Sequence, residues 1–440
     1  MSGTGASNEQ SLAHLIYHCP GLHGKGTKQD IKRKTFRELF QENGRLIIPL
    51  FQRRYCWFDK TVWQWFEDVV RGKRDHLGIH NSGNLIVKKS QHNEGLIIID
   101  GQQRITTTML LLSAINDELT SIERENMDNL SIQNKQDIAN SKRDLRANIF
   151  IKDNADNDDM KLLDGEDFNE SRLLPSFCDR RHFFELIQDK KSDEKEISYQ
   201  LRAKEIFKSR ISEEMKHQRV QSVNEKIEWC ILATHQTLDL MGITFVEILN
   251  DINMAQVFLY LQEKALMGEA ALLFNPTPGI DFTAVDLARN LLLAPTMNES
   301  IEEQEKFFRQ HWLAPIEASF AEHNQLGKFN DFLTSFVKSK TQKMAHVSAA
   351  ETTYLKMTKL VPNLTPKTKQ YLTTYAKFVS LYEKVSEDIA EKESSGTERS
   401  SETIQPTAVH MFQASVQLCS ELSNFLKRKN LEDTKNSETW

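Results

Sequence analysis

Five consecutive residues, Asp100-Gly101-Gln102-Gln103-Arg104, set a carboxylate, a bare backbone position, two amides and a guanidinium side by side. That combination suits a bound polyanion. Arg104 offers a permanent cation with forked donors, and Gly101 lacks the Cβ that would hold a phosphate away from the main chain. Asp100 can hold Mg²⁺ or orient a water beside phosphates, and Gln102 or Gln103 can orient that water or donate to a terminal phosphate. In the alternative reading Asp100 merely caps a helix and Arg104 pairs with a carboxylate; local physics leaves both open.

The surrounding elements must position these groups. Ile97-Ile98-Ile99 favours extended chain, Asp100-Gly101 supplies a turn, and Ile105, Met109, Leu112 and Ile115 recur at helical spacing. The helix therefore begins near Gln102, and its first N–H groups, at the positive end of the macrodipole, favour an anion. Upstream, Arg45-Leu-Ile-Ile-Pro49 reads as a short strand stopped by proline, followed by a loop carrying Gln52, Arg53, Arg54, Tyr55 and Trp57. Guanidiniums beside aromatic rings suit a nucleotide or a nucleic-acid backbone. The alternative is that Tyr55 and Trp57 are core residues and the arginines are solvated. Gly83-Asn84-Leu85-Ile86-Val87 supplies another strand.

Taken in order, Ile48-Pro49-x-x-Gln52-Arg53-x-Tyr55-x-Trp57, then Gly83-Asn84-Leu85-Ile86-Val87, then Asp100-Gly101-Gln102-Gln103-Arg104-x-Thr106-Thr107 resembles the N-terminal domain of GmrSD-type, modification-dependent restriction endonucleases. Leu173-Leu-Pro-Ser-x-x-Asp179-Arg180 and Asp286-Leu287-x-Arg289-Asn290 extend the resemblance over about residues 35 to 295. The resemblance implies a core similar to the ParB and sulfiredoxin fold. It also implies a nucleotide pocket in which Gln52, Arg53 and Tyr55 face Gly101, Arg104 and Thr106. The implied chemistry is NTP binding with Mg²⁺ at Asp100, and hydrolysis carried by Asp100, Gln102, Gln103 and Arg104, in a system acting on DNA. Asp286, Arg289 and Asn290 read better as structural residues, and Thr283 to Asp286 as a capping-box-like helix start. The Ala265 to Pro278 stretch departs from the family pattern, so nothing is carried over to Asn275. Full-length relatives often add a His-Asn-His-type nuclease. No such cluster is visible after residue 330, where His346 and His410 stand far apart, so cutting is expected from a nuclease or effector partner chain.

Two other functions remain open at this level. The pocket could be a non-catalytic sensor of nucleotide or nucleic acid that recruits an effector; less favoured is a ParB-like core that itself cuts nucleic acid, for which no cluster of metal-binding carboxylates is evident. Residues 31 to 110 hold fourteen Lys and Arg against eight Asp and Glu, about +6, while the chain as a whole carries −6. Lys32 to Arg37 and Arg71 to Arg74 in that segment are either solvated faces or DNA contacts. Five scattered cysteines indicate neither a zinc site nor a disulfide framework. No apolar run is long enough to span a membrane and no secretory signal is recognisable, which points to an intracellular, cytoplasmic location, or a nuclear one in a eukaryotic cell.

The expected fold is α+β, a small mixed-sheet core followed by a large, mainly α-helical region. The expected layout is a flexible arm (1–30), the nucleotide-binding core (31–122), a helical continuation (123–295), a further helical region (296–390), a linker (391–406) and a terminal helix with its tail (407–440). Asp59 is expected to cap a helix that buries Trp63, and the first-turn helix at Gln102 to run to about Ile122. An acidic surface loop at Asp153 to Asp167 should follow. Helices are expected at Asp179–Gln188, Glu194–Gln218, Val223–Leu238, Met254–Gly268, Ala284–Leu293, Ile301–Glu322, Phe329–Lys338, Pro366–Glu387 and Val409–Lys427, with an extended segment at Ile243 to Ile248. His182 and His235 read as packing or surface residues.

Overall fold

The computed structural model describes residues 30–74, 78–90, 95–151, 171–188, 198–248, 284–320, 326–341, 366–394 and 408–437. The chain divides into two units, one of residues up to Pro49 together with Arg53–Pro278, the other of Leu50–Gln52 together with Gly279 onward. In chain order the first unit contains β1 (Asp30–Thr35), α1 (Phe36–Glu42), β2 (Arg45–Ile47), α2 (Asp59–Arg71), β3 (His80–Lys89), β4 (Gly95–Asp100), α3 (Gln102–Glu125), α4 (Ile132–Ile149), β5 (Leu173–Leu174), α5 (Arg180–Ile187), α6 (Tyr199–His217), α7 (Val223–Asp239) and β6 (Met241–Ile248). The strands form one mixed sheet in the order β1-β6-β3-β4-β2-β5. β3 pairs antiparallel with β4 and parallel with β6, while β4 pairs parallel with β2.

Burial explains why these segments take these forms. Leu96 to Ile99 are buried in succession, as in a strand covered on both faces. α3 is buried around most of its circumference, Gln102 and Ile105 to Ile115 included, so it is the helix on which α4, α5, α6 and α7 pack. Capping boxes at Thr35/Glu38 and Ser222/Glu225 satisfy the first N–H groups of α1 and α7.

Several expectations change. Lys32 to Arg37 form β1 and the first turn of α1: Lys34 pairs with Glu42 and lies over the Phe245 ring, and Arg37 binds Asp144 and Asp239. In α2 the N-cap is Phe58, without a side-chain bond, and Asp59 pairs with Arg202. Trp63, expected in the core, is 46% exposed under the Arg210 guanidinium, while Trp65 is buried against Trp57 and Phe36. Polar α4 was unexpected: its sequence gives little amphipathic signal and buries only Ile138, Leu145, Asn148 and Ile149. β6 and the helices around it follow expectation, with His235 exposed and paired with Asp239.

The second unit contains α8 (Ala284–Leu293), α9 (Ile301–Phe307), α10 (Leu326–Thr341), α11 (Pro366–Ser394) and α12 (Ala408–Ser437). The helix expected across Ile301–Glu322 is broken: α9 gives way to a π-helical turn at Phe308–Leu313, then a 3₁₀ turn at Glu317–Phe320. Its core is aromatic, with Phe332 and Phe336 both against Phe425. Arg289 lies buried over the Phe308 ring and donates from Nε to the Leu50 carbonyl at 3.0 Å, the structural role its motif suggested. The fold is thus α+β, a six-stranded mixed sheet followed by a large helical region. The arm before Asp30, the acidic cluster at 153–167, the helix expected at 254–268, Asn275, Thr283 and the linker beyond Ser394 lie outside the described residues.

Candidate functional site

The Asp100–Arg104 junction is built where the start of β3 and the exit of β4 are both irregular. Asn81 pairs with Gly242 and Asn84 with Thr244, so β3 carries one extra residue over that interval. Gly83 sits in this bulge with φ +113°, its N–H bonded to Asn81 Oδ1 at 3.0 Å. The bulge leaves room for a side chain from the next layer. A Cβ on Gly83 would stand 3.2 Å from Arg104 Nη1, so the guanidinium lies directly over the glycine. Gly101, the N-cap of α3, has φ +103°, and a Cβ there would stand 2.9 Å from Leu85 Cδ1 and 3.0 Å from the Asn84 carbonyl. Gly101 is therefore required by close packing on β3 as well as by its left-handed backbone.

Arg104 is held by two acceptors. Its Nη2 donates to the Asn84 carbonyl at 2.6 Å and to Asp100 Oδ2 at 3.0 Å. Its Nε is buried with no hydrogen-bond partner. A buried donor without an acceptor costs about 1–3 kcal/mol, which an acceptor-rich ligand would recover. Asp100, the carboxylate of this pair, is partly exposed and does not cap the helix. Half of the simpler reading therefore holds: Arg104 does pair with a carboxylate, and the carboxylate is Asp100 itself.

The first turns of α3 hold a remote loop. Gln103 Oε1 accepts from the Cys56 N–H at 3.0 Å, and its Nε2 donates to the Arg54 carbonyl at 3.2 Å. Tyr55 is buried between these residues, its N–H bonded to Asp179 Oδ2 at 2.7 Å and its hydroxyl 2.8 Å from Thr107 Oγ1. Thr107 already donates to the Gln103 carbonyl, so the tyrosine hydroxyl is the donor of that pair. Burial pushes the Tyr55 hydroxyl far above the ordinary phenol range, against the opposing effect of Thr107, so it stays protonated and keeps donating. Thr106 and Thr108 bond back to the carbonyls of Gln102 and Arg104 and are buried, so Thr106 braces the turn from within.

The structure brings Tyr55, Asp100, Gly101, Gln103, Arg104 and Thr106 into one bonded neighbourhood. Gln102 is buried in the first turn of α3 and Arg53 is half-buried in the loop. Gln52 is buried too, but belongs to the second unit. Both Tyr55 and Trp57 are core residues, as the alternative reading had it. Three residues that the sequence motifs contain take roles the sequence did not disclose: Gly83 as a bulge, Asn84 through its carbonyl, and Asp179 as an acceptor for the loop, held in turn by a bond from Ser176 Oγ to its Oδ2.

For Mg²⁺ with an NTP the donor set fits in one respect. Such sites use one or two carboxylates together with the phosphates, and Asp100 is a partly exposed carboxylate at the helix start. Among the described residues there is no group of three metal-ligating side chains, and no helix is long and apolar enough to cross a membrane.

A family model described as GmrSD restriction endonuclease, N-terminal domain, matches residues 36–293, more than half of the chain. No curated relative matches it.

Proposed function

The chain belongs to the family of GmrSD restriction endonuclease N-terminal domains, and from that premise we propose that it binds an NTP at the β4–α3 junction and hydrolyses it to control action on DNA. The carrying observation is Arg104, locked over the Gly83 bulge with a buried Nε still lacking an acceptor. The N–H groups of α3 and Arg104 would take the phosphates, with Arg53 on the loop opposing them. Asp100 would hold Mg²⁺, which neutralises developing phosphate charge when bound, and Gln102 would orient the attacking water. Kinship of the core with ParB and sulfiredoxin, and a nuclease or effector on a partner chain as the readout, belong to the same proposal.

Thermal-shift screening of the four ribonucleotides with Mg²⁺ tests the binding step. A nucleotide at about one hundred times its Kd should add roughly 2.7 kcal/mol to the folded state. Phosphate release tests the second step: turnover that survives the double change Asp100→Ala, Arg104→Ala would sink the hydrolytic assignment. A second reading is favoured by the bonds already made, since Asp100 is paired with Arg104 and both ends of the Gln103 amide are engaged by backbone. A sensor that binds nucleotide without turning it over would show saturable binding and no phosphate release, with or without DNA.

A further inference from the structure

We propose that Gln103 is a positioning residue that ties the Arg53–Cys56 loop to the start of α3, so that an anion bound at the helix start controls how firmly Arg53 and Arg54 are presented. The coupling rests on the nucleotide reading above; the tether does not.

The loop's main chain is fixed at three successive residues. The Arg54 carbonyl accepts from Gln103 Nε2, the Tyr55 N–H donates to Asp179, and the Cys56 N–H donates to Gln103 Oε1. Two of these bonds come from one amide, which presents a donor and an acceptor in the spacing that a neighbouring strand would offer. The Tyr55 hydroxyl adds a fourth bond one turn further along α3, and its acceptor Thr107 is itself bonded to the Gln103 carbonyl. Gln103 therefore joins the loop through its side chain and the Tyr55 anchor through its main chain.

The same residue lies in the first turn of α3, where its N–H is among those without an intrahelical acceptor. An anion there would fix the backbone of Gln103 and with it the side chain that holds the loop. Arg53 and Arg54 sit on the tethered stretch, Arg54 exposed to solvent. Occupancy of the phosphate site is thereby transmitted to two guanidiniums suited to a second polyanion, the backbone of DNA. Neither the tether nor the coupling was visible in the sequence, where Gln103 was a candidate for orienting water or donating to a terminal phosphate.

Trypsin reads the tether directly, because it cuts after Arg53 and Arg54. Cleavage there, measured by mass spectrometry relative to cuts elsewhere in the full chain, should rise roughly tenfold in Gln103→Leu, which removes two hydrogen bonds. Gln103→Glu keeps an acceptor for the Cys56 N–H and should fall between. Tyr55→Phe deletes one hydroxyl without changing the packing volume and should give a smaller rise, which keeps the test usable if Gln103→Leu does not fold. ATP, GTP, CTP and UTP, each with Mg²⁺, are then compared on the same proteins, with binding followed by calorimetry. Any of them that binds should slow wild-type cleavage at Arg53 and Arg54 and fail to do so in Gln103→Leu. Equal cleavage of the wild type, Gln103→Leu and Tyr55→Phe overturns the tether. Binding that leaves wild-type cleavage unchanged overturns the coupling alone. Absence of binding by all four overturns the nucleotide reading and the coupling together, while the cleavage rates still decide the tether.

Discussion

Two glycines with positive φ decide whether Arg104 can occupy its place, and each predicts a different failure. Gly83→Ala introduces strain at φ +113° and a Cβ 3.2 Å from Arg104 Nη1. It should cost about 1–3 kcal/mol of stability and push the guanidinium off the bulge, so nucleotide affinity should fall with it. Gly101→Ala meets the Asn84 carbonyl and Leu85, so its loss, about 1–3 kcal/mol by urea unfolding, should be mainly structural. A Gly83→Ala protein with wild-type nucleotide affinity would separate the bulge from the site. Much of this junction was legible: strand, turn and helix start fall where apolar spacing put them, and Arg104 reaches a carboxylate. What was not legible depends on distant partners. The Gln103 contacts join residues 47 and 49 positions away, and no local pattern announces which backbone an amide will grip.

Elements that looked like a basic surface are internal ties. β1 reads as a solvated basic face because an edge strand can carry lysine and arginine, and its partner β6 lies more than two hundred residues on. Arg37, at the start of α1, bonds both Asp144 of α4 and Asp239 of α7. Burial would raise the Asp239 carboxyl, but hydrogen bonds from Arg37 and His235 outweigh it and hold Asp239 below the ordinary carboxylate range. A depressed folded pKa stabilises the protein above the unfolded value, and that stability is lost as pH falls through the folded one. Unfolding free energy should therefore decline below about pH 4, and the decline should be shallower in Arg37→Ala, which should also lose about 1–3 kcal/mol near pH 7. The tryptophans of α2 give a second check. Trp65→Ala should cost about 3–5 kcal/mol, whereas Trp63→Ala should cost far less, since its ring is half in water. Helical spacing admitted either residue to the core; the tilted and edge-on ring contacts with Trp57 and Phe36 select Trp65.

At the level of the whole chain, the basic excess between residues 31 and 110 overstates what a polyanion would meet. Lys34, Arg37, Arg71, Arg74, Lys89 and Arg104 all make bonds within the first unit. If the protein contacts DNA through the tethered loop, replacing Arg53 and Arg54 together should reduce the slope of log affinity against log salt by up to about 2. Replacing Arg71 and Arg74 should leave that slope unchanged. The division of the chain carries a further consequence, one of timing. Leu50, Phe51 and Gln52 are buried within a unit whose remaining residues begin at Gly279, and the Leu50 carbonyl takes its bond from a residue 239 positions later. On a ribosome adding about 5–20 residues per second, that partner emerges roughly 10–50 s after Leu50 has been made. The nascent polypeptide must carry this short buried stretch unfinished while the strands of the first unit are synthesised, so a stop codon placed anywhere before residue 289 would leave the Leu50 carbonyl permanently without its Arg289 bond.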